Sequence, residues 1–312
     1  NVELRKVFSD TLLDLMNTDE NVVYLEADLS GAIGTTKLMA QKPAQSVNIG
    51  IMEANMIGVA AGMSVKGKIP FVHSFGTFTS RRCADQIFLS GCYNRANVNI
   101  IGSDPGVAAE SNGGTHMPLE DVAVLHAFPE LQIFDVAEPS LLRFVLTEAA
   151  KNYGMTYTRF PRKGKKGYYD ENQTFEIGKG IVLREGKDVT IIASGLAVFE
   201  ALEAAKTLAE AGIDAEVIDM FTIKPIDAEL VCKSAAKTGA IVTAENHNII
   251  GGLGSAVAEV LVENCPVPMK RIGSRDHFGE VGDQKYLMNK FGMTSEYIVR
   301  AAEEVLARKN KG

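Results

Sequence analysis

The stretch that decides the fold is NIGIMEANMIGVAAGMSVKGKIPFVHS, residues 48–74. Its first part has the composition of a buried helix, and its last part, IPFVHS (69–74), has the apolar run of a buried strand. Similar strand patterns recur around it, separated by helical patterns: NVVYLEAD (21–28), NVNIIGSD (97–104), LQIFDVAE (131–138) and MTYTRF (155–160). Strands that alternate with helices indicate a mainly parallel sheet covered by helices.

The alternation stops after residue 160 and later starts again. Residues 161–180, PRKGKKGYYDENQTFEIGKG, are polar, rich in Lys and Gly, and without hydrophobic periodicity. Strand patterns return at DVTIIASG (188–195), DAEVIDM (214–220), GAIVTAEN (239–246) and PMKRIG (268–273). We therefore predict two consecutive open, mainly parallel-sheet α/β domains, residues 1–162 and 185–312, joined by a linker at 163–184.

Composition excludes several classes of protein. The 312 residues are 46% hydrophobic and 23% charged, and no apolar run approaches the ~20 residues of a membrane span, so a soluble cytoplasmic protein is expected. The net charge of −7 argues against binding to nucleic acid, since neutralising phosphates requires a basic surface. The four cysteines form no CxxC pair, which favours free thiols over a zinc site or disulfides.

Glu53 is the most informative polar residue. It occupies the first turn of the predicted helix, where a carboxylate gains from the helix dipole. An ordinary first-turn acid is the simpler interpretation, but the helix is apolar on all sides, which predicts burial all round. A buried carboxylate must be neutral or paired with a donor, so Glu53 is a candidate functional residue.

Ligands of open α/β sheets bind beyond the carboxyl ends of the strands, which directs attention to the loops there. HSFGTFTSRR (73–82) contains Phe75 and Phe78, three residues apart, a spacing that predicts both rings on one helix face. The two rings are either part of the core or a surface on which a flat ligand ring could stack. His116 lies on a long Gly-rich loop that follows a strand, a position in which a histidine is a candidate functional residue. GGLGSA (251–256) does not fit a dinucleotide fingerprint, and we interpret it as a closely packed helix start without a ligand.

Taken together, these segments resemble the C-terminal half of transketolase over nearly the whole chain. The resemblance rests on the order LRK, EADL, NIGIMEANMIGVAAGMS, SFGTFTSRRCADQI, GSDPGVAAESNGGTHMPLEDVA and TRFPRK. It implies a pyrimidine-binding domain for thiamine diphosphate followed by a transketolase C-terminal-like domain. The family's GDG signature for the diphosphate and metal is not found in this sequence, so the chain resembles the small subunit of a two-gene transketolase.

The resemblance assigns residues to the cofactor. Glu53 matches the glutamate that hydrogen-bonds a pyrimidine ring nitrogen and thereby activates the cofactor, so it is expected to be catalytic. Phe75 and Phe78 match the aromatic pocket of the pyrimidine, although Arg81 replaces the usual tyrosine three residues further on. Asp28 and Leu29 match residues that face the cofactor across a subunit interface.

The resemblance also assigns residues to the sugar. His116 matches a histidine that hydrogen-bonds the donor's hydroxyl groups and is expected to be catalytic, and His73 is placed near the same opening. Arg5 and Arg162 match two arginines that bind the sugar phosphate, a use that suits the planar guanidinium.

Three positions of the substrate site depart from the family pattern. Asn112 replaces an aspartate that contacts the donor hydroxyl, Asp104 replaces a phosphate-binding histidine, and Ala32 replaces a phosphate-binding serine. A carboxylate beside a phosphate is repulsive. Either the arginines and a partner provide the grip on phosphate, or the substrate is not an ordinary sugar phosphate.

The leading prediction is a transketolase subunit that moves a two-carbon ketol unit from a ketose, phosphorylated or otherwise modified, to an aldose. Thiamine diphosphate and Mg²⁺ or Ca²⁺ are expected cofactors, with the metal held mainly by a separate diphosphate-binding subunit and not by this chain. A heterotetramer of two large and two small subunits is expected. The alternatives are the beta subunit of a 2-oxoacid dehydrogenase and a non-catalytic regulatory subunit of the same fold.

Overall fold

The computed structural model describes residues 3–164, 167–170 and 172–310. Within them lie twelve strands: β1 (Val22–Glu26), β2 (Ser46–Asn48), β3 (Ile69–Phe75), β4 (Val98–Ser103), β5 (Leu131–Asp135), β6 (Met155–Phe160), β7 (Ile181–Arg184), β8 (Val189–Ala193), β9 (Ala215–Asp219), β10 (Thr222–Lys224), β11 (Ile241–Asn248) and β12 (Met269–Ser274).

The same residues form thirteen α-helices: α1 (Leu4–Thr18), α2 (Ser30–Ile33), α3 (Thr36–Gln41), α4 (Glu53–Val65), α5 (Gly76–Thr79), α6 (Ala84–Gln86), α7 (Asp121–His126), α8 (Pro139–Lys151), α9 (Ala197–Glu210), α10 (Ala228–Thr238), α11 (Leu253–Asn264), α12 (Gln284–Lys290) and α13 (Ser295–Lys309). A π-helical turn, Ile87–Tyr93, continues α6. None of these helices is both long enough and apolar enough to cross a lipid bilayer.

The first sheet has the strand order β10-β5-β6-β4-β3-β1-β2 and is parallel except for β10. Its strands alternate their side chains between two helical layers: Phe71 packs with the layer that includes α1 and α8, and Val72 with the layer of α4 and α7. The strand order reverses at β1: β2 is added on one side of it and β3 on the other, all three strands running parallel. The crevice at the ends of β1 and β3 is therefore the expected ligand position.

The second sheet has the order β12-β11-β8-β9-β7, with α9 and α13 on one face and α10 and α11 on the other. The fold class predicted from the sequence is confirmed, as is each of its nine predicted strands. Strand β7 lies inside the segment predicted as linker and pairs antiparallel with β9. Part of the same segment is fixed by Tyr168 and Tyr169, whose hydroxyls donate to Asp219 at 2.8 and 2.6 Å.

The two units are interlocked. Strand β10 follows the second unit's β9 yet pairs with β5 of the first sheet. Arg159, fully buried at the end of β6, donates to Asp121 at 2.5 Å and to the carbonyl of Asn246 in β11 at 2.7 Å. The Ser194 hydroxyl donates to Asp135 at 2.8 Å. Because these buried polar groups satisfy one another across the boundary, the units hold a defined orientation.

The sequence GGLGSA begins α11, as predicted. The Glu245 carboxylate accepts hydrogen bonds from the backbone N–H groups of Leu253 and Gly254 at 2.7 and 2.9 Å, so it caps the helix N-terminus. A Cβ on Gly252 would collide with this carboxylate. The close packing explains the glycine without any ligand.

Candidate active site

Most of the predicted site residues gather at the carboxyl ends of the first sheet, around the crevice beside β1 and β3. Glu53 begins α4, Phe75 ends β3 and Phe78 lies in α5. Arg5 lies in the first turn of α1, and Asp104 directly follows β4. Residues far apart in sequence meet here because parallel strands present their carboxyl ends at one edge.

Glu53 is buried, with 2% of its surface exposed. Its carboxylate accepts hydrogen bonds from Nη1 of Arg82, at 2.9 Å to each oxygen, and from the Ser74 hydroxyl at 3.3 Å. The expectation that Glu53 is paired with a donor is confirmed. The expectation that α4 is buried on all sides is wrong, because Gly58, Gly62 and Val65 face outward in the single chain.

Phe75, Phe78 and His116 form an aromatic cluster beside Glu53. The centroids of the two phenylalanine rings are 6.4 Å apart, and the His116 ring stands edge-on at 5.8 Å from Phe75 and 5.1 Å from Phe78. The rings do not share one helix as predicted, because Phe75 is the last residue of β3 and α5 begins at Gly76. The strand-to-helix corner brings them together instead.

Two adjacent arginines follow this corner and take different partners. Arg81, predicted to contact the cofactor, donates to Glu120 at 2.6 Å and to Thr77 at 3.3 Å. Arg82 places its guanidinium carbon 4.1 Å from the centroid of Phe78 while it pairs with Glu53. Sequence reasoning missed Arg82, which lies in a separate 3₁₀ turn, Arg81–Cys83, after α5.

A second cluster lies on the other side of Phe75. Arg162 donates from Nε to Asp104 at 2.6 Å, and its guanidinium lies 5.1 Å from the Phe75 centroid. Arg5 and Arg162 each donate from Nη1 to the Ala32 carbonyl, at 3.3 and 3.4 Å. The predicted sugar-binding residues Arg5, Ala32, Asp104 and Arg162 are thus brought together, and Phe75 joins them to the Glu53 cluster.

These groups border a cavity of about 150 Å³. Asn112 lines it together with Arg5, Asp104 and Arg162, and their binding of a substrate stays a prediction. Lys163 and Gln284 are among the further lining residues that sequence reasoning did not anticipate. Gln284 begins α12 in the second unit, so both units contribute to the wall.

Asp104 has a left-handed backbone conformation and a buried carboxylate paired with Arg162. Its backbone has a positive φ of 55°, and its carboxylate also accepts the backbone N–H of Arg162 at 3.0 Å. Burial raises the pKa of Asp104 above its ordinary value, although the attraction of the Arg162 guanidinium opposes the rise. The carboxylate and guanidinium therefore form a partly buried pair that faces the cavity.

The prediction that His73 lies at the mouth of the substrate site is wrong. Its ring is fully buried; Nδ1 lies 3.2 Å from both oxygens of Glu26, and Nε2 lies 3.0 Å from the Ser103 hydroxyl. Burial would raise the pKa of Glu26, but the neighbouring His73 and several hydrogen bonds outweigh it, and the pKa is lowered. His73 thus links the carboxyl ends of β1 and β4 through Glu26 and Ser103 and does not face the cavity.

Asp28 and Leu29 follow β1 and form hydrogen bonds with residues of β1 and β2. The backbone N–H of Leu29 donates to Glu26 at 3.1 Å, and the exposed Asp28, with φ of 62°, accepts from Asn48 at 3.0 Å. Their contacts are with β1 and β2 rather than with the Glu53–Arg82 pair. Their predicted contact with a cofactor stays a prediction.

Known proteins resemble this chain over nearly its whole length. Models of the transketolase pyrimidine binding domain and of the transketolase C-terminal domain match residues 1–165 and 178–298. A "6-deoxy-6-sulfo-D-fructose transketolase subunit SqwH" of Clostridium sp. strain MSTE9 is 50% identical, over 98% of this chain and 95% of the relative. One subunit of an apulose-4-phosphate transketolase from Phocaeicola vulgatus is 36% identical, over 98% of each chain.

Solved structures give the same result. A split gene transketolase, described as an inactive beta4 tetramer, superimposes with a TM-score of 0.90 at 41% identity over 99% of both chains. Transketolase from Leishmania mexicana shares the fold, with a TM-score of 0.80 at 22% identity over 97% of this chain and 45% of that chain.

The chain belongs to the transketolase family. It is a subunit of a split transketolase, which transfers a ketol unit together with a partner subunit. The relatives favour this prediction over the 2-oxoacid dehydrogenase and regulatory alternatives. Family membership implies thiamine diphosphate, and the residues present fit its pyrimidine ring: a buried carboxylate at Glu53 beside the partly exposed ring of Phe78.

Metal ligands do not cluster in the described part of the chain. Across 3–164, 167–170 and 172–310, no three His, Cys, Asp or Glu side chains are grouped closely enough to hold an ion. The cysteines in these residues are free thiols.

Proposed function

We propose that this subunit serves a transketolase whose ketose donor carries a terminal sulfonate. The SqwH relative is named for 6-deoxy-6-sulfo-D-fructose, a sugar of this kind. The observation that carries the proposal is the Asp104–Arg162 pair in the predicted anion site. The apulose-4-phosphate relative is the reference for a phosphorylated substrate.

The cations around the cavity are already balanced. Arg162 faces Asp104 at 2.6 Å, Arg5 faces Glu3 at 2.5 Å, and Lys163 faces Glu110 at 3.1 Å. A phosphate monoester carries about −1.5 to −2 charges at pH 7, whereas a sulfonate carries a single negative charge. A site whose positive charges are paired in this way repels the second charge of a phosphate more than it resists a monoanion.

The proposal also assigns different parts of the cofactor to the two subunits. Glu53, Phe75, Phe78 and His116 hold the pyrimidine and the reacting end of the sugar, and the partner binds the diphosphate and Mg²⁺ or Ca²⁺. When bound, thiamine diphosphate supplies the carbanion chemistry that side chains lack. Glu53 provides the carboxyl that exchanges a proton with the ring nitrogen.

We further propose that the partner subunit covers an apolar face next to Glu53. This apolar face consists of exposed residues on α4, on the π-helical turn and in the segment before α4: Ile51, Met52, Val65, Leu89 and Tyr93. Exposed apolar residues in such number mark an association surface. Ile51 and Met52 immediately precede Glu53, so a chain that covers them is positioned to share a cofactor, in a heterotetramer of two large and two small subunits located in the cytoplasm.

The substrate test uses this chain coexpressed with its partner and supplied with thiamine diphosphate and Mg²⁺. Ketol transfer is measured with 6-deoxy-6-sulfofructose and with fructose 6-phosphate as donors, and an unmodified ketose serves as the reference. We expect at least a roughly tenfold higher kcat/KM for the sulfonate, about 1.4 kcal/mol of discrimination. Equal or better use of the phosphate contradicts the sulfonate proposal and leaves the transketolase assignment intact.

A further inference from the structure

Arg82 occupies the place where a flat ring is expected. Its guanidinium carbon lies 4.1 Å from the centroid of Phe78, within stacking distance. The same group donates to both oxygens of the buried Glu53 carboxylate at 2.9 Å. One planar cation therefore covers the ring and satisfies the acid at the same time.

An aminopyrimidine would need the same two contacts. It is a planar, delocalised group that stacks on an aromatic face and exchanges a hydrogen bond with a carboxyl through a ring nitrogen. Arg82 offers a plane of comparable shape with N–H donors at its rim. Both groups cannot contact the Phe78 face and the Glu53 oxygens at once, so they compete.

We propose that Arg82 is a placeholder for the pyrimidine ring, which keeps Glu53 paired in the unloaded subunit and swings outward when the cofactor binds. The inference rests on the thiamine diphosphate use that family membership implies. It assigns to Arg82 a positioning role that is separate from the chemistry of Glu53.

Burial explains why a placeholder is needed. With 2% of Glu53 exposed, the loss of Arg82 would leave the carboxylate with the Ser74 hydroxyl at 3.3 Å as its remaining side-chain donor among the described residues. An unpaired buried carboxylate is costly and loosens its surroundings. The pair thus protects the start of α4 until a ligand replaces it.

Exposure explains how the placeholder can leave. The Arg82 side chain is 46% exposed in the single chain, so its outer part already contacts solvent. Arg82 sits in a short 3₁₀ turn, Arg81–Cys83, rather than in the middle of a long helix. A rotation of the side chain alone opens the face of Phe78.

The consequence is a reduced apparent affinity for the cofactor. The measured dissociation constant equals the intrinsic one divided by the fraction of subunits in which Arg82 is already displaced. Removing the guanidinium makes that fraction one. Cofactor binding then becomes tighter, while the unloaded protein becomes less stable.

The test measures thiamine diphosphate binding to the assembled complex by calorimetry with Mg²⁺ present, for the wild type and for Arg82→Ala. We expect the variant to bind about five- to tenfold more tightly and the unloaded variant complex to melt at a lower temperature. Arg82→Lys retains a cation that can pair with Glu53 but loses the planar group, so its affinity falls between the two. Arg143→Ala, which removes an exposed arginine from α8, is the matched control and leaves the affinity unchanged.

A double-mutant cycle separates competition from a general structural effect. In a Glu53→Gln background the ion pair with Arg82 is already lost, so we expect Arg82→Ala to give little further gain in affinity. Weaker or unchanged binding by Arg82→Ala overturns the placeholder inference, because Arg82 would then assist or ignore the cofactor. A wild-type complex that binds no thiamine diphosphate contradicts the cofactor assignment instead.

Discussion

At the scale of single residues, the site is a set of charges that are already satisfied before any ligand arrives. Glu53 pairs with Arg82, and Asp104 pairs with Arg162, each with its carboxylate buried and its guanidinium partly exposed. A ligand that enters must replace one partner of a pair without leaving the other unsatisfied, because breaking a buried pair is expensive. We therefore expect the site to select ligands that can replace one partner of an ion pair and still satisfy the other.

Replacing Asp104 by Asn tests this view of the anion site. The amide keeps the size of the side chain and can still accept from Arg162, but it removes the negative charge that faces the cavity. We expect kcat/KM for a sugar phosphate to rise about three- to tenfold relative to the sulfonate, since like-charge repulsion is relieved.

Paired assays of both donors with the Asp104→Asn complex measure the change. Asp104→His, which restores the residue type of ordinary transketolases, should shift the preference in the same direction. A donor preference that stays the same in both variants counts against a role for this carboxylate. The variant Asp14→Asn, at an exposed position on α1, controls for a general loss of negative charge.

Sequence reasoning identified much of the site at this scale and failed for physical reasons where it did not. Glu53, Asp104 and Arg162 stand at strand or helix ends, where order along the chain fixes position. His73 was misplaced because strand pleat decides which face a side chain takes, and the buried partner Glu26 lies 47 residues away. Arg82 was missed because the resemblance assigns the neighbouring Arg81 to the cofactor, whereas the buried carboxylate of Glu53 pairs with Arg82.

At the scale of elements, the linker is bound by specific contacts. Tyr168 and Tyr169 both donate to Asp219 at the end of β9, and the ring of Tyr168 also packs 5.1 Å from Phe199 of α9. Nine strands were predicted from their apolar runs, but β2, β7 and β10 were not. Each of these is a short strand at a sheet edge, and pairing partners rather than composition define them.

Asp219 makes stability depend on pH. Burial raises the pKa of Asp219 to about 7, although hydrogen bonds from Tyr169 and Tyr168 oppose the rise. The ordinary value is 3.8, so between about pH 4 and 7 the unfolded chain loses this proton while the folded chain keeps it. The contribution of Asp219 to the free energy of unfolding therefore falls as pH rises, by up to about 1.4 kcal/mol per pH unit.

Asp219→Asn removes this loss, because its side chain is neutral throughout. We expect the stability of the variant relative to the wild type to increase between about pH 4 and 7 in urea unfolding. Burial also raises the pKa of Glu245 to about 7, but that group contributes equally to both proteins and cancels in the difference. A difference that does not vary with pH would show that Asp219 is ionised when folded.

At the scale of the whole molecule, an exposed surface borders the site. Ile51 and Met52 lie immediately before Glu53 and are 71% and 55% exposed. Leu89, 51% exposed, lies on the π-helical turn that packs against α4. Covering these side chains with a second chain, as proposed for the partner subunit, would remove apolar area from water next to Glu53.

Leu89→Glu is therefore expected to prevent assembly without unfolding the subunit. A charge in the centre of an apolar contact costs association free energy, whereas an exposed position tolerates it before assembly. Sedimentation of the coexpressed subunits should show a loss of the complex, with an affinity for the partner at least about tenfold lower. Val262→Glu, at an exposed position on α11 of the second unit, is the control and should assemble normally.

Strand β10 has a consequence for how this polypeptide can be divided. It follows the second unit's β9 and completes the edge of the first sheet at β5, so a cut between the two domains would leave β5 paired with β6 alone and expose unpaired backbone groups on its other side. Such an edge attracts strands from other molecules and promotes aggregation. Either domain expressed alone is thus expected to aggregate more readily than the intact chain.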